Sequence, residues 1–244
     1  MKKFINKILV KTLGYPFSKY RSKQDKIFET QKYLCERDTN PVIFDVGAFT
    51  GETALTYLKY FGKDCLIHSF EPFPESFKKL EATTQDLTNV SVHNVALGQK
   101  GGTVNLHVNN FLATNSILPS DPKGIEAWGS GLLETKSKLE VPMLTIDSFV
   151  EDYKIKKIDI LKMDTQGSEY LVLEGAEKTI KAGKIKVIFA EIIVMPTYKG
   201  QMDFDDIFKM YKDYGFELYS LFNSTDKNEK LKYMDGIFVY NPIK

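Results

Sequence analysis

Five short apolar runs, most of them followed by an amphipathic stretch, constrain this chain more than any other feature. The runs are residues 42–46, 65–70, 90–95, 158–163 and 186–192, and the amphipathic stretches are 51–61, 74–83, 168–182 and 204–214. A run with no polar alternation belongs to a strand buried on both faces, and stretches with helical spacing supply the cover. The pattern predicts an α/β domain built on a doubly wound, mostly parallel sheet. It then changes: 216–222 and 233–240 read as two strands joined by the polar turn 223–229 with no helix between them. Such a pair must be antiparallel, so a C-terminal hairpin completes a seven-stranded sheet.

The first run carries a chemical signal. "IFDVGAFTGETAL", from Ile43 to Leu55, passes from strand through Asp45, Gly47 and Gly51 into a helix. Open α/β folds bind ligands at this edge of the sheet, where backbone N–H groups and a carboxylate converge. A dinucleotide site needs a glycine midway between these two so that a pyrophosphate can approach the backbone. Here Phe49 occupies that place. S-adenosylmethionine has no phosphate, its ammonium is cationic and its ribose hydroxyls are donors, so it suits the spacing better. Asp45, Gly47, Phe49, Thr50 and Gly51 are therefore the expected cofactor-binding turn. Glu71, at the end of the second run, is placed to accept from both ribose hydroxyls, with Pro72 fixing the turn behind it. Asn94, ending the third run, is expected beside the adenine, although asparagine there is also an ordinary turn residue.

Composition narrows the alternatives. With 33 basic and 32 acidic residues the formal net charge is +1, which gives no general affinity for nucleic acid. Cys35 and Cys65 are too few and too isolated for a disulfide framework or a zinc site, and are expected as reduced thiols in a cytoplasmic protein. Charge segregates only at the N-terminus: residues 1–24 hold Lys2, Lys3, Lys7, Lys11, Lys19, Arg21 and Lys23 and no acid, with Phe4, Ile5, Ile8, Leu9 and Leu13 at helical spacing. Their apolar run is too short for a signal peptide or a membrane span. A basic amphipathic helix is expected, suited to docking on the domain, to pairing in a homodimer, or to peripheral contact with an anionic membrane. We divide the chain into an N-terminal unit, 1–40, comprising this helix and a cap helix, and a catalytic domain, 41–244. Residues 109–139 fit neither period, contain the only tryptophan, Trp128, and are expected to form a substrate lid.

Several further segments, in order, are distinctive together: "FEPFP", "NVALG", "VPMLTIDSF", "IDILKMDTQGSE", "VLEGA" and "AEI". With "DVGAFTG" they cover about residues 42–192, and the sequence resembles the FkbM-type S-adenosylmethionine-dependent methyltransferases. The resemblance implies a class I, Rossmann-like methyltransferase fold and O-methylation of a hydroxyl on a sugar, a glycan or glycolipid precursor, or a related small molecule. Many members have glutamate in the centre of D-x-E-G-x-E where this chain has Gln166, an amide still able to orient an acceptor.

Methyl transfer to an alcohol needs in-line positioning and a group to take the hydroxyl proton. Asp164, after the fourth run, is the first candidate for base and also borders the donor. Glu169 and Glu191 are expected to converge with it, and Gln166 and Trp128 to contact the acceptor. A Mg²⁺ held by Asp164 and Glu191 is an alternative that the lack of an adjacent Asp-Asp or Asp-Asn pair disfavours. Two other classes compete: a donor-binding protein without transferase activity, and a nicotinamide-dependent oxidoreductase, which Phe49 disfavours.

Overall fold

The computed structural model describes residues 22–129, 131–225 and 231–241. The basic helix expected over 1–24 lies almost wholly outside the described residues. Its neighbour, the cap helix, is α1 (Lys23–Leu34), opened by a capping box in which Ser22 and Asp25 satisfy each other's backbone N–H groups.

The main sheet has seven strands: β1 (Val42–Val46), β2 (Leu66–Phe70), β3 (Val90–His93), β7 (Ile158–Met163), β8 (Ile185–Ile193), β9 (Phe216–Thr225) and β10 (Leu231–Tyr240). Their order is β3-β2-β1-β7-β8-β10-β9, with β10 antiparallel to both its neighbours, β8 and β9, and every other pair parallel. Alternation along β1 assigns its faces. Phe44 and Val46 join Phe70, Phe149, Leu161, Met163 and Ile188 in one core, whereas Ile43 joins Ile67, Ile160 and Val187 beneath α1 and α2 (Glu52–Phe61). Because β2 and β3 extend to one side of β1 and β7 and β8 to the other, the order reverses between β1 and β7. A crevice opens at the carboxyl ends of such strands.

Four differences from the sequence reading have local causes. The third run ends early as β3, and β4 (Ala96–Leu97) joins β5 (Gly102–Asn109) and β6 (Thr135–Leu144) in a separate three-stranded sheet that periodicity did not reveal. The irregular stretch 109–139 holds a 3₁₀ turn (Leu112–Thr114) and α4 (Pro122–Trp128), with β6 already begun at Thr135. The hairpin strands are longer than read. Finally, the helix expected over 168–182 is two: α6 (Glu169–Glu174) and α7 (Glu177–Lys181). The break is a contact, since a β-carbon on Gly175 would lie 2.0 Å from the carbonyl oxygen of Gly98. Asp147, in α5 (Ile146–Asp152), then accepts from the N–H groups of Lys178 and Thr179 and caps the second piece. The remaining helices are α3 (Pro74–Thr84) and α8 (Phe204–Asp213). Among the described residues no helix is long and apolar enough to cross a membrane.

Candidate active site

The glycine turn after β1 is shaped by two close approaches. Gly47 has φ +75°, and a β-carbon there would sit 1.9 Å from the carbonyl oxygen of Asp164 at the end of β7. Only glycine lets these two strand ends meet. Across the turn, Gly47 and Ala48 both donate to the carbonyl of Phe70, each at 3.0 Å. Phe49, also left-handed at φ +49°, donates its N–H to Glu71 Oε2 at 2.9 Å, and Phe73 donates to Glu71 Oε1 at 2.9 Å. Glu71 thus clasps the turns after β1 and β2. Burial pushes its carboxyl up to about 7, against the lowering effect of those two N–H groups.

Lys162, near the end of β7, was not anticipated as a site residue. Its Nζ lies 2.9 Å from Asp45 Oδ1 and donates to the carbonyls of Gly47 at 2.8 Å and Val46 at 3.3 Å. Burial works against its charge, but Asp45 and Asp164 outweigh it and the pKa is raised. The available signal was a lysine inside the apolar run "IDILKM", placed opposite Asp45 in the β1–β7 register.

Two cavities flank this crevice, each of about 240 Å³. Gly47, Phe49, Glu71, Pro72 and Lys162 line the first, and Trp128, Glu191, Tyr198 and Tyr233 line the second. Ala113, Asp164 and Gln166 belong to both. Gln166 holds the junction together from a left-handed conformation, φ +56°. Its Nε2 donates to Asp164 Oδ1 at 2.8 Å and to Glu191 Oε2 at 3.0 Å. The Tyr198 hydroxyl stands 2.9 Å from Gln166 Oε1 and 3.0 Å from the Thr114 carbonyl, sharing its proton between them. Ser116 Oγ donates to the Gln166 carbonyl at 2.7 Å, so the stretch after β5 is fastened to the motif after β7. Burial, then the charges of Asp164, Glu169 and Asp235, raise the Glu191 pKa well above the ordinary carboxylate range. Tyr198 is raised as well, first by burial and then by Glu191.

Of the residues singled out in the sequence, Gly47, Phe49, Glu71, Pro72 and Asp164 line the first cavity and Gln166 joins it to the second, where Glu191 and Trp128 stand. Trp128 Nε1 donates to Thr197 Oγ1 at 3.0 Å. Four others serve the frame instead of lining either cavity. Asp45 is fully buried against Lys162. Thr50 donates to Glu52, Gly51 opens α2 in a left-handed conformation, and Asn94 Nδ2 fastens the carbonyls of Glu71 and Pro72 at 2.8 and 3.1 Å. Glu169 is likewise a brace. Its Oε1 accepts from the Thr165 N–H at 2.7 Å and the Thr165 hydroxyl at 3.0 Å, and burial pushes it up to about 7. Between Asp164 and Glu191, the pair considered for Mg²⁺, the amide hydrogens of Gln166 face both carboxylates. Among the described residues no group of three or more His, Cys, Asp or Glu is arranged to hold a metal.

The profile of the methyltransferase FkbM domain matches residues 45–218. At 24% identity the chain is similar to the 2-O-methyltransferase NoeI of Sinorhizobium fredii, the match covering 67% of this chain and 68% of that one. At 22% identity it is similar to the hexuronic acid methyltransferase AglP of Haloferax volcanii, over 69% of this chain and 62% of the relative, less than two thirds of its length. Among solved structures, the methyltransferase domain of METTL16 matches with a TM-score of 0.52 at 9% identity, covering 99% of this chain and 79% of that one, a likeness of fold alone. The sheet order and C-terminal hairpin are those of the Rossmann-like class I methyltransferases. With most of this chain matched by that domain, the chain belongs to the FkbM family of S-adenosylmethionine-dependent methyltransferases.

Proposed function

We propose that this methyltransferase moves the methyl group of S-adenosylmethionine to a hydroxyl of a sugar or glycan precursor, with the donor in the first cavity and the acceptor in the second. The observation that carries the reading is that both cavities share one carboxylate, Asp164. A methyl group leaving a sulfonium must meet the acceptor oxygen in line at about 3 Å, so the donor and acceptor pockets have to open onto one another beside a shared residue. Asp164 is then within reach of the reacting hydroxyl and takes its proton as the carbon–oxygen bond forms and the carbon–sulfur bond breaks. Both curated relatives are named as methyltransferases, one for 2-O transfer and one for hexuronic acid, which supports a sugar acceptor.

On the donor side, Glu71 accepts from the ribose hydroxyls and the backbone around Phe49 and Pro72 closes over the nucleoside. Lys162 and Asp45 keep the glycine turn in shape from behind. On the acceptor side, residues 109–139 act as a lid, tied at its root by Tyr198 and Ser116. Calorimetry with S-adenosylmethionine, S-adenosylhomocysteine and NAD⁺, with labelled-methyl transfer to a glycan extract, tests this. Both sulfur ligands should bind and NAD⁺ should not. Asp164→Asn should lower the transfer rate by about 10²–10⁴-fold while donor affinity stays within a few-fold. Donor binding with no transfer to any hydroxyl would favour a binding protein and sink the catalytic reading.

A further inference from the structure

The second cavity has a one-sided chemistry. Its polar end is acidic, with Asp164 and Glu191 bridged by the Gln166 amide. Asp235 stands opposite Glu191 in the β8–β10 register and is already occupied by Lys23 at 2.6 Å. Among the described residues no lysine, arginine or histidine lines this cavity. Two cations lie close by without lining it: Lys232 Nζ is 4.6 Å from the centroid of the Trp128 ring and Lys23 Nζ 5.5 Å from that of Tyr233. The remaining wall is apolar: the stacked rings of Trp128 and Tyr233, 26° from parallel with centroids 6.2 Å apart, stand with Leu132, Leu133 and Ile193.

We propose that the acceptor enters this cavity as an uncharged pyranoside, and that sugars bearing a carboxylate or phosphate on the same ring are excluded. The proposal rests on the sugar O-methylation reading above. A pyranoside presents a C–H face that suits an aromatic wall and hydroxyls that donate to carboxylates. An anionic ring would bring a further negative charge beside Asp164 and Glu191 in a cavity whose lining residues supply no cation, and a charge held against acids without a partner is disfavoured. Burial and the charges of Asp164, Glu169 and Asp235 raise the Glu191 pKa, which marks this end of the cavity as one where added negative charge is costly.

Trp128 is the only tryptophan in the chain, so intrinsic fluorescence reports on this cavity directly. The full chain, saturated with S-adenosylhomocysteine, is titrated with the methyl glycosides of glucose, galactose, mannose, rhamnose, fucose and N-acetylglucosamine, and with those of glucuronate and galacturonate. We expect a saturable change with at least one neutral glycoside and at least 30-fold weaker binding of the uronides. Asp164→Asn, read by binding alone, should narrow that gap several-fold by removing one negative charge. The proposal is overturned if a uronide binds as tightly as its neutral counterpart, or if no neutral glycoside gives a saturable response. Labelled-methyl transfer to a uronide with donor binding intact would overturn this proposal alone. Loss of donor binding itself would overturn the reading on which it rests.

Discussion

Gly47 and Asp164 touch backbone to backbone, with no room for a β-carbon between them: one placed on residue 47 would lie 1.9 Å from the Asp164 carbonyl oxygen. The contact joins the donor turn to the strand end that carries the proposed base. Gly47→Ala should therefore separate β1 from β7 as well as strain a left-handed residue, costing about 3 kcal/mol or more of stability. Denaturant unfolding and donor calorimetry check it. Wild-type stability in the variant would show that the strand ends can part at little cost.

Removing Lys162 should be worse than removing both partners of its ion pair. Lys162→Met leaves Asp45 buried without a counter-charge, a loss of about 3–5 kcal/mol, whereas Lys162→Met combined with Asp45→Leu should recover a large part of it. Thermal unfolding of the three proteins gives the comparison directly. A double variant no better than the single one would mean that the lysine's hydrogen bonds to the Val46 and Gly47 carbonyls dominate.

Glu71 gives opposite pH trends for stability and for donor binding. Its folded pKa, about 7, is raised from 4.5, so the folded state keeps a proton that the unfolded chain has lost between those values. The stabilising contribution is present below about pH 4.5 and is lost as pH rises toward 7, on the order of 3 kcal/mol in all. Glu71→Gln should flatten that part of the stability profile of the ligand-free protein. Donor affinity should run the other way, weakening as pH falls below about 7 because ribose hydroxyls need the carboxylate as acceptor, and in Glu71→Gln this dependence should disappear.

Glu169 is expected to matter for folding more than for chemistry. Glu169→Gln keeps an acceptor for the Thr165 N–H and should retain transfer activity within a few-fold. Glu169→Leu leaves that N–H without its partner and should cost about 1–3 kcal/mol. A rate loss of 10³-fold in Glu169→Gln, with normal unfolding, would return this residue to the catalytic group.

Gln166→Glu should move the acid limb of the rate profile to higher pH by about one unit, since a third carboxyl beside Asp164 and Glu191 favours the protonated form of each. Transfer rates at saturating donor and acceptor across the pH range measure this. An unshifted limb would mean that neither acid titrates in the rate-limiting step.

Much of the framework was legible because it is written in local periods. Unbroken apolar runs named the five parallel strands, and the absence of a helix between 216–222 and 233–240 forced the hairpin. Gly47, Phe49, Glu71, Pro72, Asp164, Gln166 and Glu191 line the two cavities, and they were legible as candidates because strand ends are marked in sequence by the change of pattern.

What the sequence by itself determined is therefore the sheet, its polarity and the edge at which the two cavities open. Only the tertiary structure decided which strand-end groups face a cavity and which hold the frame. Asp45 and Lys162 cancel one another because their strands lie side by side, and Asn94 and Glu169 are spent on backbone groups of neighbouring turns. Tyr198 reaches Gln166 across 32 residues of chain, and residue 175 is held to glycine by the approach of the Gly98 carbonyl. The small sheet of β4, β5 and β6 escaped notice for the same reason. Each depends on a contact between segments distant in the chain, and periodicity records the burial of a residue without recording what it is buried against.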